Sequence, residues 1–170
     1  MNKILVTGGA GYIGSITAHE LKKAGFEPVI FDSLEKGHSE TIKGFKLIKA
    51  ETHNEKLLIR VLKEEKITAV MHFAAYIEMA ESMQNPYKYF HNNTFGSLSL
   101  LKAMAEAKID KLIFSSTAGV YGNSVKIPIK EDDPKNPTNP YGESKLMVER
   151  ILSWYDQVHQ LRSISLRYFN

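Results

Sequence analysis

A tyrosine and a lysine four residues apart, in Tyr141-Gly142-Glu143-Ser144-Lys145, are the side chains best suited to move a proton in this chain. On a helix, positions i and i+4 lie one turn apart on one face, so phenol and ammonium can share a site. Asn139 and Pro140 precede them as an N-cap and a first helical residue, which sets Tyr141 at the positive helix end. The cation, the dipole and an oxidised nicotinamide would all favour phenolate, so the Tyr141 pKa is expected to fall towards working pH, where phenolate serves as a base. A surface tyrosine beside a solvated lysine is the plain alternative. Upstream, Phe114-Ser115-Ser116-Thr117 closes an apolar run with three hydroxyls. At a parallel strand end, where open α/β sheets collect ligands, Thr117 and Tyr141 can grip one substrate hydroxyl while hydride leaves its carbon. Ordinary strand-end turn chemistry accounts for the same residues more simply.

A second constellation lies at the start of the chain. Thr7-Gly8-Gly9-Ala10-Gly11-Tyr12-Ile13-Gly14 meets Gly-x-x-Gly-x-x-Gly at Gly8, Gly11 and Gly14, and Gly-x-Gly-x-x-Gly at Gly9, Gly11 and Gly14. Between a strand and a helix, such a loop turns tightly and brings backbone amides and the positive helix end to a pyrophosphate. Asp32 ends the next apolar run, where a carboxylate accepts hydrogen bonds from adenosine ribose hydroxyls and repels a 2′-phosphate. Ser33-Leu34-Glu35 follows it with no immediate Lys or Arg, so the expectation is NAD and not NADP. A carboxylate that merely caps a turn is the competing account of Asp32.

These groups need a scaffold, and the hydrophobic pattern supplies one. Near-continuous apolar runs predict strands near Lys3–Thr7, Glu27–Asp32, Lys46–Ala50, Ala69–Ala74, Lys111–Ser115 and Ser163–Tyr168. Helical spacing predicts helices near Tyr12–Ala24, Glu55–Glu65, Asn85–Ala107 and Tyr141–Gln160. The alternation reads as an α/β doubly wound parallel sheet, a Rossmann-type fold, in one domain over residues 1–170. The proline-rich stretch from Lys126 to Pro140 reads as a surface loop.

Composition excludes several other classes. With 43% hydrophobic and 24% charged residues and a net charge of +3, the chain has ordinary globular balance and no basic stripe for nucleic acid. It has no cysteine, which removes disulfides, thiolate nucleophiles and cysteine–zinc sites and suits a reducing cytoplasm. The six histidines form no i,i+3 or i,i+4 pair, so no metal site is expected. Gly8 and Gly9 cut short any secretory leader, no apolar run approaches a membrane span, and the Asn92-Asn93-Thr94 sequon reads as chance.

Taken in order, the motifs resemble the extended short-chain dehydrogenase/reductase family, and within it the UDP-glucose/UDP-galactose 4-epimerases. The resemblance runs through Gly14-Ser15, Asp32-Ser33-Leu34, His72-Phe73-Ala74-Ala75, Glu81-Ser82, Asn92-Asn93, Ser115 to Gly122, Asn139-Pro140-Tyr141 with Lys145, and Arg167-Tyr168-Phe169-Asn170. It implies NAD contacts from Gly8, Gly11, Tyr12, Ile13, Gly14, Asp32, Ser33, Glu51, Thr52, Phe73, Ala74, Ala75, Asn92, Ser115, Tyr141, Lys145 and Tyr168. It implies catalysis by Thr117, Tyr141 and Lys145, and contacts to a UDP-sugar from Thr117, Tyr141 and Asn170. In the implied reaction Tyr141 takes the 4-hydroxyl proton as hydride passes to NAD, the 4-keto sugar rotates, and hydride returns to its other face. The departures are Glu51 for a usual aspartate, Ile77 for a frequent lysine near the pyrophosphate, and Ile16 for a common histidine.

Family members run to about twice this length, so the resemblance implies an N-terminal portion that ends after the sixth strand, with the substrate domain absent. An NAD-holding module without turnover is therefore carried beside the isomerase. A nucleotide-sugar 4,6-dehydratase is the third reading, but Ala118 and Gly119 stand where those enzymes carry an Asp-Glu pair. The resemblance also implies a homodimer through the helices after Asn85 and Tyr141, whose apolar faces fit burial against the sheet equally well.

Overall fold

The computed structural model describes residues 2–123 and 126–169. The six apolar runs become β1 (Lys3–Thr7), β2 (Glu27–Asp32), β3 (Lys46–Lys49), β4 (Ile67–His72), β5 (Lys111–Thr117) and β6 (Arg162–Tyr168). All pair in parallel in the order β3-β2-β1-β4-β5-β6. The chain thus starts in the middle of the sheet, builds outwards to β3, and crosses back to β4. That reversal opens a crevice at the carboxyl end of β1, where doubly wound sheets bind ligands.

Side chains alternate across each strand, and the two faces are covered differently. Leu5, Val29, Phe31, Val70, Leu112 and Phe114 point to one face. They meet Leu58 and Leu62 of α2 (Glu55–Glu64), Leu100, Leu101 and Met104 of α5 (Gly96–Ala107), and Val148 and Leu152 of α6 (Pro140–His159). Each such side chain contributes about 1.5–3 kcal/mol when fully buried, so this layer supplies most of the apolar driving force. Ile4, Val6 and Ile30 point the other way, towards Ala18 of α1 (Tyr12–Lys23) and Ile42. Over the far half of that second face, Ile164 and Leu166 of β6 are exposed.

The expected strands stand with small shifts: β4 starts and ends two residues early, and β5 runs on to Thr117. The helix expected near Asn85–Ala107 forms from Pro86 to Ala107, with two features the spacing does not show. A short α3 (Met79–Gln84) precedes it, and Asn85 caps α4 (Pro86–Tyr89), its Oδ1 accepting from the Lys88 amide at 3.2 Å. A π-helical turn, Phe90–Phe95, then widens the coil before α5. In that turn the Asn93 amide is held by groups outside the helix, and Ser97 Oγ bonds back to the Asn93 carbonyl, a contact that competes with regular helix pairing.

Candidate active site

The phosphate loop follows from the packing of β1 against its neighbours. Gly8 has a left-handed backbone, φ +67°, and a Cβ there would lie 2.5 Å from the Ala74 amide nitrogen. A Cβ on Gly14 would press on the Gly8 carbonyl, so α1 can approach the loop this closely only with glycine there. Gly11 is the N-cap of α1 and has no side chain to satisfy the amides of Tyr12, Ile13 and Gly14. No acidic residue occupies the first turn, and beyond Gly11 the only atom near an added Cβ is the Gly8 carbonyl oxygen at 3.3 Å. Free amides at a positive helix end, beside an open cradle, fit a diphosphate.

Asp32 ends β2 and is buried. Its Oδ2 accepts from the Ala10 amide at 2.9 Å and its Oδ1 from the Leu34 amide at 2.8 Å. The carboxylate therefore ties the phosphate loop to the turn after β2, which gives the capping account substance. Each oxygen keeps a further lone pair for ribose hydroxyls. Beside it, Ser33, Lys49, Ala50, Glu51, His53, Asn54 and Leu57 line an open cavity of about 590 Å³. Thr52 is buried with its hydroxyl against Gly96, so its side chain serves packing. On the other side of β1, the Phe73 amide donates to the Thr7 carbonyl at 2.9 Å, and Ala74 lies under Gly8, so this segment walls the crevice with main chain. Ala75 follows them in the same wall.

The proton-transfer groups collect at the end of β5. Asn139 Oδ1 accepts from the Gly142 amide at 2.8 Å and Pro140 fills the first turn, so the expected cap forms. Thr117 Oγ1 accepts from the Gly119 amide at 3.1 Å, and its hydroxyl lies near enough to the Tyr141 phenol to favour the ionised form. Lys145 is almost fully buried; its Nζ donates to the Ser115 carbonyl at 2.8 Å and lies 4.9 Å from the Phe114 ring centroid. Burial without a carboxylate partner lowers its pKa from 10.5 to about 7. In the protein alone, burial raises the Tyr141 pKa, and the Thr117 hydroxyl opposes that only in part; the lowered value is expected with an oxidised nicotinamide beside the phenol.

Three supports were given no role by the sequence motifs, although His72 and Asn93 stand within them. His72 is fully buried between Thr7 Oγ1 at 2.6 Å and Ser97 Oγ at 2.8 Å. Ser97 gives its proton to the Asn93 carbonyl, so it accepts from His72 Nε2–H and Thr7 donates to Nδ1. Burial first, and the Lys145 charge second, lower the His72 pKa to about 3, so this ring stays neutral. Asn93, also buried, accepts from the Tyr76 amide at 2.9 Å and donates to the Tyr76 carbonyl at 3.0 Å and to Ser144 Oγ at 3.1 Å. Asn92, the neighbour expected on the cofactor side, donates to Asn93 Oδ1 at 3.0 Å. Glu149 of α6 accepts from Ser116 Oγ at 2.5 Å and from Arg167 at 3.0 and 2.7 Å. The Ser116 bond ties the strand end bearing Thr117 to the helix bearing Tyr141, and the bidentate Arg167 pair ties the neighbouring β6 to the same helix. Tyr168 pairs in register with Thr117, while Asn170 lies outside the described residues.

Fold and site together define a doubly wound α/β domain with a phosphate loop and a tyrosine–lysine pair at adjoining strand ends. The chain belongs to the NAD dependent epimerase/dehydratase family, whose profile matches residues 4–170. It is 46% identical over 169 residues to the UDP-glucose 4-epimerase of Lactobacillus helveticus, covering 99% of this chain and 51% of that protein. The UDP-glucose 4-epimerase of Azospirillum brasilense is 48% identical over 169 residues, covering 99% and 49%. Among solved structures, UDP-glucose 4-epimerase from Brucella ovis in complex with NAD superposes with a TM-score of 0.98 at 39% identity, over 100% of this chain and 52% of that one. The chain spans about half the length of the curated relatives it matches.

Proposed function

We propose that this chain is the cofactor-binding part of an NAD-dependent UDP-hexose 4-epimerase, forming one domain over residues 1–170. The observation that carries the reading is the buried, carboxylate-free Lys145 one turn from Tyr141, with Thr117 against the phenol, at the strand end beside the phosphate loop. The open amides of Tyr12, Ile13 and Gly14 hold the diphosphate, with Gly8 and Gly11 shaping the loop. Asp32 and Ser33 take the adenosine ribose, and Glu51 and the Thr52 main chain border the adenine. Phe73, Ala74, Ala75, Asn92, Ser115 and Tyr168 line the remaining course towards the nicotinamide, where Lys145 meets its ribose. Bound NAD supplies a hydride acceptor that returns the same hydride, so no net oxidation occurs.

The chain's own residues handle the proton. Thr117 and Tyr141 converge on the sugar 4-hydroxyl, Thr117 orients it, and Tyr141 removes its proton and later gives it back. Glu149, through Ser116 on one side and Arg167 on the other, ties the strand end bearing Thr117 to the helix bearing Tyr141. Lys145, held on the Ser115 carbonyl with its pKa lowered to about 7 by burial, stands one helical turn from the phenol. Asn170 adds a sugar-nucleotide contact. The dehydratase alternative lacks an acid–base pair after Thr117: Ala118 and Gly119 carry no ionisable group, and the Gly119 amide is spent on Thr117. Cytoplasmic location and a homodimer belong to the same reading; exposed Phe95, Leu98, Met147, Trp154 and Val158 supply the apolar helix surface for pairing.

A proton NMR time course of the chain with NAD and UDP-galactose tests this. Growth of UDP-glucose anomeric signals is the expected result for the epimerising protein. NAD line broadening without conversion assigns this segment to cofactor binding alone, and absence of both refutes the reading.

A further inference from the structure

Strand order places two loops on opposite sides of the phosphate loop. Residues 33–38 leave β2 on one side of β1, and residues 73–78 leave β4 on the other. The loops meet. Tyr76 Oη donates to Glu35 Oε2 at 2.5 Å, and Lys36 Nζ lies 3.3 Å from Glu78 Oε1. Both bonds span the crevice in which the diphosphate is read to lie.

The two sides are held unequally. Tyr76 is a post: Asn93 engages both its amide and its carbonyl, and Lys88 sits 4.2 Å from its ring centroid. Lys88 is fixed in turn by Glu81 at 2.6 Å. Burial first, and the Glu35 carboxylate second, push the Tyr76 phenol above its ordinary value, so it remains a donor throughout the working range. Glu35 lies on the yielding side, exposed, in a loop whose Leu34 has a left-handed φ of 61°. That loop is tied on either side of Glu35 and Lys36, by Asp32 to the Leu34 amide, by Leu34 packed on the core, by Gly37 close against Ala10, and by the His38 amide to the Ala10 carbonyl at 3.0 Å, with a weak Ser33 contact to the Glu35 amide at 3.3 Å. A rigid donor facing an acceptor on a lightly held loop can open without disturbing the sheet.

We propose that Tyr76 and Glu35 form a latch across the dinucleotide cleft, and that breaking their bond limits how fast a bound dinucleotide leaves. The inference rests on reading the cleft as an NAD site. Lys36 and Glu78 are exposed and add little by themselves. A charge-assisted bond of this kind slows release about five- to tenfold.

The test loads the chain with NADH, chases with excess NAD in a stopped-flow instrument, and follows nucleotide fluorescence. Tyr76→Phe keeps the ring and removes the donor; Glu35→Gln weakens the acceptor; Glu20→Gln alters an exposed pair elsewhere. Both latch variants should release NADH about five- to tenfold faster, the double variant no faster than either, and the control at the native rate. Unchanged release from both latch variants, with NADH bound normally, overturns the latch alone. A native chain that holds no NADH overturns the latch and the cofactor reading together. If circular dichroism shows Tyr76→Phe unfolded, Glu35→Gln, at an exposed loop position, decides the matter.

Discussion

Replacing Lys145 with methionine should stabilise this domain at neutral pH, although it removes a residue of the proposed active site. The lysine's pKa falls from 10.5 to about 7 because its ammonium is buried against the Ser115 carbonyl and the Phe114 ring. A lowered base pKa means the unfolded chain binds a proton that the folded chain does not, across the window from about 7 to 10.5. Stability therefore rises with pH in that window, by about 1.4 kcal/mol per pH unit, and the penalty is complete below pH 7. The full difference corresponds to about 5 kcal/mol. Losing the bond to Ser115 returns about 1–3 kcal/mol of that, since the carbonyl is left without its donor. The expected net gain for Lys145→Met is then about 2–4 kcal/mol at pH 7, shrinking as pH approaches 10.5. Urea unfolding followed by far-ultraviolet circular dichroism at pH 6.5, 8 and 9.5 measures it; Trp154 is too exposed to report on the core. A variant less stable than the native chain at every pH refutes the reasoning, as does an NMR titration that finds Lys145 ionising above 9.5.

Tyr141→Phe should lower epimerisation by roughly 10²–10⁴-fold in the turning-over protein while NAD affinity stays within a few-fold, by kinetics and calorimetry. Asp32→Ala should relax discrimination between NAD and NADP in paired calorimetric titrations. Because two backbone amides lose their acceptor, it should also cost about 1–3 kcal/mol in thermal unfolding. Gly8→Ala should destabilise the chain by more than about 3 kcal/mol in urea, since its left-handed backbone and the Ala74 main chain both resist a methyl group.

Much of the sheet was readable because buried parallel strands leave uninterrupted apolar runs, as Ile4-Leu5-Val6 and Val29-Ile30-Phe31 do here. The short α3 was missed because Met79–Gln84 spans less than two turns, while Asn85 and Pro86 mark the start of the next helix clearly. The π-turn was missed because one residue's widening alters hydrogen bonding while leaving apolar spacing almost unchanged. At the site, local motifs predicted their own geometry: the glycine loop, the Asn139 cap and the Tyr141–Lys145 spacing all depend on residues close in sequence. His72, Asn93 and Glu149 depend on partners far along the chain, at Thr7, Tyr76 and Arg167, and a single sequence shows no such pairing. The burial that raises the Tyr141 pKa in the protein alone was not legible for a related reason: a charge four residues off is visible in the sequence, and the depth of burial around it is not.

The central position of β1 has a consequence for how the chain emerges during synthesis. Leu5 must pair with the strand of Val29 on one side and with that of Val70 on the other, and the second partner arrives much later. At about 5–20 residues added per second, the interval between the ends of β1 and β4 is roughly 3–13 s. Throughout it the phosphate-loop strand carries one open edge, a site for pairing with a neighbouring nascent chain. Slowing translation between Lys49 and Ile67 should therefore lower the soluble yield, while a pause after Thr117 should leave it unchanged.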